Sequence, residues 1–320
     1  MRNAFSDELT RLAATDERIV LLSGDIGNRL FDRFKAQCPT RFYNCGVAEA
    51  NMTSLAAGLA LSGLKPITYT ITPFNTTRCL EQIRLDVCYH NLPVILVGVG
   101  AGVSYSELGS THHALEDISF LRSLPNMTVV CPGDAVEVRA ALRAALEHGG
   151  PVYLRLGKKN EPVLHRTEPD FKIGRGLVLR PGRDVCLLST GNILPEAAAA
   201  ADRLEERGLS AQLVSFHTVK PLDEELLKEA FDRFQLVATI EEHSLVGGLG
   251  GAVAEWRADN PAGRARLLRI GAPDRFAHRL GKQAHARQAL GLTAGDIAAR
   301  IMAEAEIISA GIKGTGEGRV

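Results

Sequence analysis

Five short runs of β-forming, almost wholly apolar residues recur along the first half of the chain, with helix-spaced segments between them. They are IVLLS from Ile19, PITYTI from Pro66, PVILVGV from Pro93, MTVVCP from Met127 and VYLRL from Val152. A strand that is apolar on both faces belongs inside a parallel sheet covered on both sides. The segments EANMTSLAAGLALSG, RCLEQIRLDVCYHN and DAVEVRAALRAALEHG have helical spacing and a Gly or Asn stop. Such β–α alternation predicts a doubly wound, parallel-sheet α/β domain. The rhythm breaks at GKKNEPVLHRTEPDFKIGRG, which is polar and aperiodic. A new series from VCLLST to RLLRIG predicts a second, smaller α/β domain. We place the first domain at residues 1–165, a linker at 166–182, the second domain at 183–308 and a glycine-rich, disordered tail at 309–320.

Charge excludes some classes of partner. Lys plus Arg and Asp plus Glu are equal at 37 each, so no global field favours nucleic acid or an anionic membrane. An anionic substrate must therefore be held by a local site. No apolar run approaches membrane-spanning length. The N-terminal stretch MRNAFSDELTRLAATDERI reads as an amphipathic helix without a secretory apolar region. The six cysteines, Cys38, Cys45, Cys79, Cys88, Cys131 and Cys186, show no C-x-x-C pairing. Buried thiols rather than metal ligands are expected, in the cytoplasm.

In an open α/β sheet, ligands collect beyond the carboxyl ends of the strands. SGDIGN, ITPFNTTR, GAGVSYSELGSTHHALED and RLGKK all follow predicted strands, and NCGVAEANM leads into a helix. Glu49, among small apolar neighbours, fits a first-turn acid favoured by the helix dipole. It also fits a buried carboxyl that shares a proton with a ligand nitrogen. Asp25 reads as a turn residue or a ligand contact, and Phe74 as core or contact. His112 and His113, in a long polar loop, suit hydrogen bonding or proton transfer better than metal binding. Arg155, Lys158 and Lys159 form a basic cluster that fits a solvated charge run or an anion site. The GGLGG at Gly247 lacks full dinucleotide-binding spacing and is discounted.

Four of these segments, taken together, carry a family resemblance. GVAEANMTSLAAGLA, ITPFNTTRCLEQIR, GSTHHALEDISFLRSLPNMTVVCPGD and TIEEHSLVGGLGGAVAEW resemble, in this order, the C-terminal section of transketolases. They are similar, less closely, to the matching part of deoxyxylulose-phosphate synthases. The resemblance runs from Arg2 to about Ala305. It implies a thiamine-diphosphate pyrimidine-binding domain followed by a transketolase C-terminal domain. It also implies that the diphosphate and Mg²⁺ sit mainly on a separate large subunit, the N-terminal section, in an α₂β₂ heterotetramer. No metal ligand is expected on this chain. Glu49 matches the catalytic glutamate at the pyrimidine, Phe74 the aromatic that stacks on it, and Asp25 an aspartate near the cofactor, with Arg78 close by.

His112 matches a histidine of the family's G-x-T-H segment, at the sugar hydroxyls, with His113 beside it. Arg2 and Lys158 fall where transketolases hold the substrate phosphate. Two departures stand out: Leu108 replaces an aspartate and Gly100 a histidine, both of which read sugar hydroxyls in the family. A branched, deoxy or sulfonated ketose is thus a candidate beside a sugar phosphate. Ketol transfer from a ketose to an aldose is the expected reaction. The rivals are a deoxyxylulose-phosphate-synthase-like subunit, a 2-oxoacid dehydrogenase E1-β-like subunit, and a non-catalytic assembly or regulatory subunit.

Overall fold

The computed structural model describes residues 1–278 and 281–316. Six strands come from the first half of the chain: β1 (Ile19–Ser23), β2 (Phe42–Asn44), β3 (Lys65–Ile71), β4 (Ile95–Val99), β5 (Thr128–Val130) and β6 (Val152–Leu156). Six follow: β7 (Leu177–Arg180), β8 (Val185–Thr190), β9 (Ala211–Ser215), β10 (Thr218–Lys220), β11 (Leu236–Ser244) and β12 (Arg266–Ala272). They form two sheets, ordered β10-β5-β6-β4-β3-β1-β2 and β12-β11-β8-β9-β7. Both are parallel except at one edge, where β10 and β7 run antiparallel to their neighbours.

The period-two rule explains why the strands look apolar throughout. In β1, Val20 and Leu22 enter one core, while Ile19 and Leu21 enter the other. The first of these cores does not stop at the domain boundary. It takes Val129 and Tyr153 from the first sheet together with Phe216, Val219 and Leu249 from the second half. β10 belongs by sequence to the second half, yet it completes the first sheet by pairing with β5. The two α/β units are therefore welded through a shared core and a shared sheet.

Local detail departs from the sequence expectation in four places. The segment RCLEQIRLDVCYHN is not one helix but a 3₁₀ turn (Thr77–Cys79), an α turn (Leu80–Gln82) and a π-helix (Ile83–Tyr89). The wider π turn sets Ile83 and Cys88 on one buried face. β7 lies within the stretch expected to be linker, where it pairs with β9; its mixed, half-exposed residues carry no apolar signal. The helix Ala294–Gly316 enters the stretch expected as a disordered tail. Ile297 and Ile301 anchor it in the second core, and an existing helix propagates cheaply; residues 317–320 lie outside the described residues. Finally, Cys45 is only half-buried, whereas the other five cysteines are buried; all six are free. Burial pushes the Cys131 and Cys186 thiols up to about 12. No helix among the described residues is long and apolar enough to cross a membrane.

Arg155 corrects the sequence reading most sharply. Instead of joining a surface cluster, it is 1% exposed at the centre of the junction. Its Nε donates to Asp117 Oδ2 at 2.7 Å, and Nη2 donates to the carbonyls of Ala114 (2.8 Å) and Glu242 (3.1 Å). Tyr153 adds a hydrogen bond to Asp117 at 2.6 Å. Burial works against an ionised Asp117, yet the Arg155 guanidinium keeps its carboxyl below the ordinary range. Burial also pushes nearby His243 down to about 4, so that imidazole is neutral. Removing one partner of a buried pair strands the other charge. Arg155→Met should therefore destabilise the chain by about 3–5 kcal/mol, read by urea denaturation. A loss under about 1 kcal/mol, as for a surface pair, would contradict this role.

Candidate active site

The helix Glu49–Leu61 starts just after β2, and Glu49 is its first residue, 3% exposed. The close approach of β1 to β3 shapes the space beside it. A Cβ at Gly24 would lie 2.8 Å from Thr70 Oγ1 and 3.7 Å from Glu49 Oε1. Only glycine leaves that space open. Thr70 Oγ1 is buried there without a hydrogen-bond partner, and such a group is rare unless a ligand or water meets it.

Arg78 Nη1 donates to Glu49 Oε2 at 2.7 Å, and the same guanidinium stacks on Phe74 with Cζ 4.2 Å from the ring centroid. Phe74 sits in the short helix Thr72–Asn75 that follows β3. Its ring meets His112 edge-on at 5.2 Å, and His112 lies 6.4 Å from the Tyr105 ring. Lys158 Nζ sits 4.6 Å over the Tyr105 ring. A continuous series of contacts thus runs from the Glu49 carboxyl to Lys158, along the carboxyl ends of β3, β4 and β6.

Two cavities flank this series. One, of about 540 Å³, is lined by Phe74, Arg78, Thr111, His113 and, from the second domain, Arg275 and Phe276. The other, of about 360 Å³, is lined by Arg2, Arg29, Tyr69 and Tyr105. The Arg2 backbone N–H donates to the Lys158 carbonyl at 3.4 Å, so the two expected anion-holding residues are neighbours. Lys158 is already engaged by Glu107 at 3.4 Å.

The structure thus gathers Glu49, Phe74, Arg78 and His112 at one end, and Arg2 and Lys158 at the other. Asp25 is exposed and acts on the turn that leads to Glu49: its Oδ1 accepts from Asn44 Nδ2 at 3.1 Å, and its N–H donates to Gly46 O. His113 is buried, with Nε2 3.3 Å from Ser106 O. Lys159 is exposed. Gly100, at φ +89°, lies under Tyr105: an added Cβ would be 2.2 Å from that ring. Leu108 is exposed. The GGLGG stretch serves a local need. Glu241 accepts the N–H groups of Leu249 and Gly250 at the head of the helix Leu249–Asp259, and a Cβ at Gly248 would lie 2.0 Å from that carboxylate. Among the described residues no metal-holding group of His, Cys, Asp and Glu occurs.

Sequence reasoning missed Tyr105, Arg275 and Phe276. The run PDRF directly after the apolar strand RLLRIG was the available signal for the last two, since strand ends carry sites.

A buried acid at a helix head, an aromatic face beside it and a cation pair beyond, all at strand carboxyl ends, define a ligand-binding α/β domain joined to a second α/β domain. Residues 1–163 match the transketolase pyrimidine-binding domain, and residues 174–297 match the transketolase C-terminal domain. The chain is 39% identical to the inferred transketolase C-terminal section of Methanocaldococcus jannaschii, across 95% of this chain and 96% of that one. It is 38% identical to a 6-deoxy-6-sulfo-D-fructose transketolase subunit of Clostridium sp. (strain MSTE9), across 93% and 92%. Among solved structures, a split-gene transketolase, described as an inactive β4 tetramer, superposes with a TM-score of 0.86 at 37% identity, covering 94% of this chain and 96% of that one. The chain belongs to the transketolase family, a family of thiamine-diphosphate-dependent transferases.

Burial, and then the neighbouring His113, push the His112 imidazole below its ordinary value of 6.5. The shift favours the neutral His112 imidazole at pH 7. Any limb of the kcat/KM profile that depends on neutral His112, identified by its loss in His112→Gln, should fall below pH 6.5. A His112-dependent limb above that value would contradict the geometry.

Proposed function

We propose that the chain is the pyrimidine-binding subunit of a split, thiamine-diphosphate-dependent transketolase, which moves a ketol unit from an anionic ketose to an aldose. One observation carries the reading: the Arg78 guanidinium fills both contacts that a flat, N–H-bearing ring would need. It hydrogen-bonds a buried carboxyl, Glu49, and lies on an aromatic face, Phe74. A guanidinium is planar and rich in donors, so it is a fair chemical stand-in for an aminopyrimidine edge. The unpartnered Thr70 hydroxyl and the open space at Gly24 fit a ligand at the same carboxyl.

When bound, the cofactor supplies the electron sink for breaking and making the carbon–carbon bond. Glu49 holds a proton at a ring nitrogen, in surroundings that exclude water. Phe74 fixes the plane of the ring, Arg78 swings aside or flanks it, and Asp25 steadies the turn that delivers Glu49. His112 and His113 meet the sugar hydroxyls, His112 as a neutral donor and acceptor. Arg2 and Lys158 hold the anionic group, a phosphate or a sulfonate, with Lys158 exchanging Glu107 for the substrate.

The diphosphate and its Mg²⁺ require a second chain, the large N-terminal-section subunit, in an α₂β₂ assembly. Exposed apolar side chains support this. Tyr43 and Val47 precede Glu49; Leu55 and Leu61 lie on its helix; Leu85 and Tyr89 lie on the π-helix. Val47 and Tyr89 are 79% and 77% exposed. Such a patch beside a site is the mark of an interface. The inactive state described for the β4 tetramer of the split-gene relative is in keeping with that need. Six free thiols are in keeping with the cytoplasm.

Reconstituted with the large subunit, Glu49→Gln should lower turnover by at least about 10²-fold while leaving assembly intact, as seen by steady-state kinetics and sedimentation. Near-normal turnover would refute the assignment. Lys158→Ala should raise KM about tenfold for an anionic ketose and leave an uncharged analogue within about twofold. Equal effects on the two would remove Lys158 from the anion site.

A further inference from the structure

The loop that joins β4 to the histidines is fastened from both domains: within its own, the Gly100 and Ala101 N–H groups donate to the Leu156 carbonyl at 3.0 and 2.9 Å. Gly102 pairs with Ala114 through two backbone hydrogen bonds, of 3.1 and 2.8 Å. Most of the other bonds that fasten residues 101–106 across the chain come from the second domain. The Val103 N–H donates to Glu242 Oε1 at 2.8 Å. Ser104 Oγ accepts from Asn192 Nδ2 and from Gln283 Nε2, each at 3.2 Å. Ser106 Oγ donates to the Gly281 carbonyl at 2.6 Å.

Glu242 is the hub of this clasp. It lies on β11, fully buried, and its two carboxylate oxygens accept from the Val103 amide, Asn192 Nδ2 (3.3 Å), Gln283 Nε2 (3.1 Å) and Arg287 Nε (2.5 Å). Arg287 compensates the buried charge and is itself held by Glu196 and by the Asn192 carbonyl. The loop is also shaped around the carboxylate. Gly102 has φ +62°, and a Cβ there would lie 2.4 Å from Glu242 Oε1. A carboxylate with every lone pair engaged is a rigid post, because any shift breaks several charge-assisted bonds at once.

What the post holds is the substrate end of the site. Two residues beyond Val103, Tyr105 lies between Lys158 and His112. The Ser106 carbonyl then meets His113 Nε2 at 3.3 Å, and the neighbouring His112 lies edge-on to Phe74. Glu49, by contrast, is fastened through Arg78, on elements that Glu242 does not touch. We propose that Glu242 is a positioning residue of the second domain: through the Val103 amide it fixes Tyr105, His112 and His113 for the substrate, and it leaves the cofactor end alone. This gives the second domain a part in the reaction, and it rests on the transketolase reading above.

The test is Glu242→Gln, with Glu242→Ala beside it, each compared with the unaltered chain in three measurements. Hydrogen exchange of this chain should accelerate about tenfold or more across residues 101–113, while β3 and β4 keep their protection. In the reconstituted pair, kcat/KM for the ketose should fall about 10–100-fold, chiefly through KM. Exchange of the C2 proton of bound thiamine diphosphate, the step that depends on Glu49, should stay within about twofold. A mere loss of folding would slow that exchange in parallel, and such parallel loss would overturn the proposal. So would unchanged exchange in the loop, or a loosened loop with unaltered kcat/KM. Should Glu242→Ala fail to assemble, Glu242→Gln decides. An unaltered pair that transfers no ketol unit would sink the transketolase reading, while the hydrogen exchange would still say whether Glu242 holds the loop.

Discussion

A guanidinium sealed between two α/β units is the contact on which the rest of this molecule depends. Arg155 takes the Asp117 carboxylate, the Ala114 carbonyl and the Glu242 carbonyl, so it ties β6 to the segment after the histidines and to β11 of the second sheet. Arginine suits this place because its donors are fixed in a fork and its charge cannot be shed by deprotonation. Desolvating such a pair is costly, and it persists where geometry matters more than net stability. Here it aligns two domains whose joint surface includes the candidate site.

From that alignment follows a division of labour along the carboxyl ends of the strands. On the proposed reading, the cofactor end is built from β1 and β3 of one sheet and from the helix that begins at Glu49. On the same reading, the substrate end is the β4 loop and the end of β6, a stretch braced from the other sheet. Each end carries its own cation arrangement. Arg78 is paired with a carboxylate and a ring, whereas Lys158 lies over Tyr105 and Arg2 lines a cavity with it. On the proposed reading, the separation suits an enzyme that must hold one group constant while successive sugars come and go.

Much of this was legible in the residues alone, for physical reasons that differ from place to place. β1, β3, β4 and β6 announced themselves because a strand buried on both faces has no polar positions to blur its signal. β2, β7 and β10 stayed hidden, being short and part-exposed at sheet edges or far from their partners. The π-helix was hidden because its five-residue step differs too little from helical spacing over so short a run. Among the candidate site residues, Glu49, Phe74 and His112 stood in segments whose order and composition mark a family. Tyr105 stood in an unmarked loop, and its place depends on Gly100 having no side chain to exclude its ring. Arg155 was misjudged since a charged residue at a strand end looks the same in sequence whether it faces solvent or a buried aspartate.

The sequence by itself determined the alternation of strand and helix, the two-domain order and the chemistry available at the strand ends, because periodicity and turn residues act over a few neighbours. Only the tertiary structure decided that Arg78 closes on Glu49, that Arg155 is interior, and that Glu242 reaches into the other domain. Those contacts join residues separated by 29, 38 and 139 positions. Nothing local records them: they exist only after burial has removed water as the competing partner for each charge.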